Sequence, residues 1–403
     1  MNTLRSFPST FLCTAYSSEA SHIPSLIQIA TRATSLAIFQ ANLRWRRLNE
    51  VIDDLQRQIL QWNDIPPKLK RAISDGLNEA FRELKRWNEK HVQMFPEAPK
   101  FAKRKAKIEC CASKRVHRGE HLRLFHRSIV WRPFTYYIND LATAKKIIKN
   151  ECGDWPLMKF QFACCYAMED LLEDEFLFDK IRRKTFKKQL DDHCAYNFWL
   201  RVLDNREEWH RLYRPDRILV DQCLLQVFRF AMFYGYFELV RRLWDGLAEN
   251  QQEAIGFLYW KKICFRAEHR ELTRFLCERL CRINPQGMIR LTWDSFYYKV
   301  YKTLDEDGLT PEEQLDNFRK LECLLENWCD HLRSSILARE NFRAITDTFL
   351  YNRPEAFSLF LDYLDRHQLG RARELVDRVY DRKRTKEFKD LRQMILRRQQ
   401  TIE

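Results

Sequence analysis

Residues Phe230–Leu247, FAMFYGYFELVRRLWDGL, and Ile263–Leu280, ICFRAEHRELTRFLCERL, decide the fold. Laid one over the other, Phe230-Ala231, Glu238-Leu239, Leu243 and Leu247 in the first match Ile263-Cys264, Glu271-Leu272, Leu276 and Leu280 in the second, all at one constant offset. In each copy the apolar side chains recur at three and four residues, the spacing that gives a helix one apolar face. Trp260 recurs at the same offset as Trp293, followed by Phe296-Tyr297, so a third copy begins there. Asp305 to Gly308 interrupts that copy before Leu321, Leu324 and Leu325 resume the second helix. A fixed 33-residue period predicts stacked helical pairs, none of which can bury its apolar face alone. Weaker copies run from Trp131 to Ile148, from Phe160 to Leu172 and from Ile345 to Leu361, giving about six pairs in all.

Composition agrees with an all-α chain. Only 9 of 403 residues are glycine, well below the ~7% average, and β-rich folds need glycine for turns and bulges. Hydrophobic residues make up 45% and aromatic residues 13%, enough to support a core despite 31% charged residues. The prolines at 66–67, 133, 156, 215, 285, 311 and 354 fall between apolar runs, where they punctuate helices rather than break them. Thr310-Pro311-Glu312-Glu313 has the pattern of a capping box, with Pro at the first helical position.

The expected organisation is a disordered N-terminus over 1–24, an N-terminal helical region over 25–95, a basic connector over 96–125, a helical-repeat solenoid over 126–380, and a basic C-terminal helix over 381–403. The connector carries nine Lys or Arg against Glu97, Glu109 and Glu120, so it holds +6 of the chain's net +14. No apolar stretch reaches the ~18 residues of a membrane span; Leu224 to Val240 is broken by Gln226, Arg229 and Glu238. No glycosylation acceptor is present, and the 13 cysteines are odd in number and scattered. They read as reduced thiols of a cytoplasmic or nuclear protein. Residues 1–18 contain no acid and seven Ser or Thr, a composition shared with mitochondrial presequences, but Arg5 is their only base.

The helix-turn-helix unit, with a small residue in its first helix, Gly235 at the turn and Glu238-Leu239-Val240 opening the second, resembles an ankyrin repeat. The segment Ala231–Trp244, AMFYGYFELVRRLW, carries the likeness, which is good over roughly 220–300 and thin elsewhere. It is similar to the divergent ankyrin-like families expanded in nematodes. The Thr-Pro-Leu-His opening is absent from every copy, and Gly235 becomes Glu268 in the next, so the β-turn fingers of that family are not expected. The resemblance implies protein binding without catalysis. A second likeness lies in Ser25-Leu26, Ala30 and Ile65-Pro66-Pro67-Lys68-Leu69, which resemble the elongin-binding and cullin boxes of ubiquitin-ligase adaptors, with Ala30 where the box has cysteine.

No phosphate loop, His-Glu-x-x-His pair, nucleophile elbow or Cys-x-x-Cys pair occurs, so neither an enzyme activity nor a cofactor is expected. Cys110-Cys111 with His117 and His121 gathers four metal-binding side chains in twelve residues, but the loop is shorter than tetrahedral zinc modules use. Cys277 and Cys281 stand one helical turn apart, the spacing of any core stripe, and read as small buried hydrophobes. Basic runs occur at Arg44-Trp45-Arg46-Arg47, Lys103-Arg104-Lys105-Ala106-Lys107, Arg182-Arg183-Lys184 with Lys187-Lys188, and Arg382-Lys383-Arg384 with Lys386. Lys103, Arg104, Lys105 and Lys107 are the candidates for nuclear import or phosphate contact. The sequence therefore predicts an α-solenoid of degenerate ankyrin-like helix pairs acting as a scaffold for another protein. A basic helical-repeat protein binding RNA or DNA is the second reading, and a ubiquitin-ligase substrate adaptor the third.

Overall fold

The computed structural model describes residues 25–42, 48–91, 127–152, 155–174, 176–190, 193–205, 221–263, 269–304, 310–382 and 385–402. They are helical almost throughout. The chain divides into two compact units, Met1–Gly153 and Asp154–Glu403. The residues described between 127 and 150, which the sequence joins to the repeats, belong to the first unit.

In the first unit, α1 (Leu26–Asn42) and α2 (Leu48–Gln61) both pack on the long α3 (Pro67–His91). Helix α3 buries Ile73, Leu77, Ala80, Leu84, Trp87 and His91, whose alternating spacing of four and three makes one stripe along the helix. Gly76 sits on that side because a β-carbon there would stand 2.6 Å from Ser35 Oγ and 2.2 Å from Tyr136 Oη. The next helix, α4 (Asp140–Asn150), is capped by Asn139, whose side chain accepts from the Ala142 amide at 3.0 Å.

The copy expected from Trp131 to Ile148 is only half helical. Trp131 and Ile138 form an isolated antiparallel bridge, with Arg132 N donating to Tyr137 O at 2.7 Å and Asn139 N to Val130 O at 2.7 Å. Pro133 has no amide to give a helix, and the flanking Val130, Trp131, Tyr136, Tyr137 and Ile138 favour extended backbone. Phe134 turns the chain with φ of 58°. Arg32 holds the turn from outside, donating to the carbonyls of Thr135 at 2.5 Å and Arg132 at 2.6 Å.

The second unit contains α5 (Pro156–Cys165), α6 (Glu169–Leu172), α7 (Lys180–Gln189), α8 (Cys194–Asp204), α9 (Gln222–Tyr234), α10 (Phe237–Trp244), α11 (Glu249–Ile263) and α12 (Arg270–Ile283). It continues with α13 (Pro285–Leu304), α14 (Pro311–Asn327), α15 (Asp330–Leu337), α16 (Arg339–Leu350), α17 (Pro354–Leu361), α18 (Arg366–Tyr380) and α19 (Lys386–Ile402). Packing runs mostly between near neighbours in sequence: α9 on α10 and α11, α11 on α12 and α13, α12 on α13 and α14.

Helices α10 and α12 begin at Phe237 and Arg270, one full period apart. Leu239 and Leu272 are buried at matching positions, as are Leu243 and Leu276. Trp260 and Trp293 are both buried, and each indole donates a hydrogen bond to a later element, Trp260 to Thr292 Oγ1 and Trp293 to Glu340 Oε1, each at 2.8 Å. The third pair departs from the period: one further step from Arg270 falls inside α13, whereas α14 begins only at Pro311.

Prolines 67, 156, 285, 311 and 354 each open a helix, where the missing amide costs no intrahelical bond. At Thr310 the hydroxyl accepts from the Glu313 amide at 3.3 Å while Glu313 Oε2 accepts from the Thr310 amide at 2.8 Å, completing the capping box. Gly235 ends α9 in the left-handed region, φ 69°, and its amide donates to Ala231 O. A β-carbon there would also lie 2.3 Å from His269 Nδ1, so both conformation and space require glycine. Helix α16 starts on a turn of the opposite hand, with Glu340, Asn341 and Phe342 at φ of 49°, 59° and 60°.

Candidate functional site

In the second unit, three thiols meet. Cys277 and Cys281 stand one turn apart on one face of α12, and Cys329 is the residue that caps the start of α15. Cys329 Sγ lies 3.6 Å from Cys277 Sγ and 3.4 Å from Cys281 Sγ, and all three sulfurs are within 4.8 Å of one another. The Cys329 amide donates to Cys277 Sγ at 3.2 Å. Cys277 is buried, whereas Cys281 and Cys329 are half-buried. Hydrogen bonding within the cluster, that from the Cys277 thiol first and the contact with Cys281 second, holds the Cys329 thiol well below the usual thiol pKa, and the Leu332 amide in the first turn of α15 adds to this. Contact with Cys281 and Cys329, together with burial, pushes Cys277 well up.

The sequence places Cys277 and Cys281 on one helical face, but nothing in its spacing brings in Cys329, which follows only after α13 and α14. That approach depends on how α12 and α15 are packed. All nine described cysteines are free thiols.

The first unit holds a buried cluster of charges. Arg86 bridges Glu83 at 2.8 Å and Asp140 at 2.6 Å, and Lys90 reaches the other oxygen of Asp140 at 2.5 Å. Glu83 Oε1 also accepts from the Ile138 amide at 2.8 Å. These groups sit one and two turns apart on α3 and reach across to the segment that leads into α4. Burial raises the Asp140 carboxyl, but Arg86 and Lys90 outweigh it and hold the group far below the usual carboxylate range. His91, fully buried and stacked on Trp87 at 3.4 Å, is kept neutral by burial and by the Lys90 charge. Its Nδ1 lies 2.7 Å from Trp87 O, so in the neutral ring the proton is on Nδ1. With every charge paired, the cluster has the character of a structural fastening.

Helix α7, KIRRKTFKKQ, carries six Lys or Arg and no acid in ten residues. Phe186 is its only buried side chain, and Lys180, Lys184, Lys187 and Lys188 are exposed. Asp179 caps the helix through the Arg182 amide at 2.8 Å, Arg182 donates back to the carbonyls of Phe176 and Leu177, and Arg183 pairs with Asp204 at 3.3 Å. Phe176, ahead of the helix, is 94% exposed and Ile181, in its first turn, 77%, so this basic segment also holds two large apolar groups in water.

Lys103, Arg104, Lys105 and Lys107 lie outside the described residues, as do Cys110, Cys111, His117, His121, the run 44–47, Lys383 and Arg384. No helix among the described residues is long and apolar enough to cross a membrane. No protein family, curated protein or solved structure matches this chain.

Proposed function

We propose that the chain is a non-enzymatic scaffold of ankyrin-like helical repeats that works in the cytoplasm or nucleus and binds another protein. The observation that carries this reading is the 33-residue register, kept by the starts of α10 and α12 and by the buried pairs Leu239 with Leu272 and Leu243 with Leu276. Helices that pack chiefly on near neighbours in sequence build extended surfaces suited to partner binding. The bare apolar pair Phe176 and Ile181, rimmed by the bases of α7, suits a partner segment with apolar anchors and acidic flanks.

The unbroken basic character of α7 also favours the second reading, RNA or DNA binding. Leu26 and Ile27, where the likeness to an elongin-binding box begins, are 81% and 70% exposed, which suits the adaptor reading.

Affinity purification of the full chain with and without nuclease separates the first two readings. Protein partners that persist after nuclease, and are lost on Phe176→Ala with Ile181→Ala, support the scaffold. Direct binding of single-stranded RNA or DNA at ~150 mM salt, with a log-log salt slope that becomes shallower by about 2–3 when Lys184, Lys187 and Lys188 are changed to Gln, would replace it.

A further inference from the structure

We propose that Cys277, Cys281 and Cys329 form the binding site of one thiophilic metal ion, zinc, held by three cysteine sulfurs with its fourth position open to water or to an outside ligand. The geometry is close to what the ion requires. A zinc–sulfur bond of about 2.3 Å in tetrahedral arrangement sets the sulfurs about 3.8 Å apart. Here two of the three separations are 3.4 and 3.6 Å and all lie within 4.8 Å, so small shifts of the side chains admit the ion.

The surroundings are those of thiolate ligands. The Cys329 amide donates to Cys277 Sγ at 3.2 Å, and Cys329 caps α15, where free amides and the helix dipole favour negative charge. Half-burial of Cys281 and Cys329 leaves a path for the ion, while the buried Cys277 closes the inner side. An all-sulfur donor set selects zinc or monovalent copper and rejects magnesium and calcium, which take oxygen ligands.

Packing alone accounts less well for the cluster. In the preceding copy, Trp244 fills the position that Cys277 takes one period later, and both are fully buried. The small thiol opens the space into which Cys329 and its amide enter. A disulfide would join two of these sulfurs and leave the third unexplained. The ligands come from α12 and from the start of α15, so the ion would tie together elements that are separated in sequence by α13 and α14.

The test uses the full chain, reduced and freed of metal with a chelator, then titrated without oxygen with cobalt(II) as the optical stand-in for zinc. One equivalent should give thiolate-to-cobalt charge transfer and the intense visible bands of a tetrahedral site, both erased by one equivalent of zinc. Cys281→Ser and Cys329→Ser, each at a half-buried position, should lose these bands while keeping the helical circular dichroism of the parent. Cys323→Ala, a buried cysteine outside the cluster, should keep them, as should Cys110→Ser with Cys111→Ser. Bands that survive in the Cys281→Ser, Cys329→Ser double variant would overturn the proposal by placing the ion elsewhere. So would the absence of sulfur charge transfer at one equivalent in the parent. A Cys281–Cys329 disulfide found by mass analysis, in a chain that takes up no metal after reduction, would also overturn it and mark a redox pair.

Discussion

The two units are held together by different chemistry. In Met1–Gly153 the link between α3 and α4 runs through Glu83, Arg86, Lys90 and Asp140, charged groups taken out of water and paired with one another. In Asp154–Glu403 the buried positions that stand 33 residues apart are apolar: Leu239 and Leu272, Leu243 and Leu276, Trp244 and Cys277. An apolar contact tolerates exchange for another group of similar volume. A buried ion pair stabilises little against a well-packed apolar pair, yet the loss of one partner strands the other. The contact of α3 with α4 therefore depends on complementarity and the buried positions of the second unit on pattern, and the two should fail in different ways.

The sharpest break should come at Asp140. Asp140→Ala takes the carboxylate from the buried Lys90 and leaves Arg86 with Glu83 alone, and we expect a loss of about 3–5 kcal/mol in the first unit, read by denaturant unfolding of the full chain. A loss below about 1 kcal/mol would mean that water reaches the cluster.

In the second unit Leu276→Ala should cost about 2–5 kcal/mol, and Leu243→Ala a similar amount, because both side chains are fully buried. If the two costs differ by more than about 2 kcal/mol, the two positions do not collapse alike and the repeat comparison weakens.

Acid acts on both units with one sign. His91 has a folded pKa far below its unfolded value of about 6.5, so it is neutral in the fold, and acidification favours the unfolded chain from there downward. Asp140 is depressed as well; its contribution is present above about pH 4 and fades as pH falls below that. Both act in the same direction. His193 in the second unit, pushed by burial down to about 4, has the same sign. His91→Phe isolates the first term: the unfolding free energy of the first unit should stay flat between pH 7 and 5 where the parent's declines.

The smallest effect expected is at a helix cap. Asn139→Ala should cost about 1 kcal/mol by removing the acceptor of the Ala142 amide. A change as large as that of Asp140→Ala would show that the cap and the charge cluster act as one unit.

Much of the fold was legible because periodicity and proline are local signals. The scarcity of glycine pointed to helices, five prolines stand at the first residue of a helix, and the 33-residue register is kept by α10 and α12. The extended turn at Trp131–Ile138 was missed, since its apolar residues also fit a helical spacing and only Pro133 argued otherwise. The two clusters of side chains were not legible at all. Asp140 meets Arg86 from the far side of the basic connector, and Cys329 meets Cys277 across two intervening helices. Such pairings depend on how helices lie against each other, which no spacing along one helix encodes.

The reversed turn at Glu340–Phe342 bears on motion. Left-handed backbone costs on the order of 1–2 kcal/mol per residue for side chains other than Gly and Asn, and here Trp293 and Arg343 bind the Glu340 carboxylate at 2.8 and 2.9 Å and secure the turn. The turn cannot relax by degrees, because a right-handed helix lies across a forbidden region of φ. The junction of α15 with α16 thus keeps its shape through side-chain contacts to Glu340 rather than through the preference of its own backbone. Amide exchange at 338–342 should accelerate sharply in Glu340→Ala, while exchange in the body of α16 changes little.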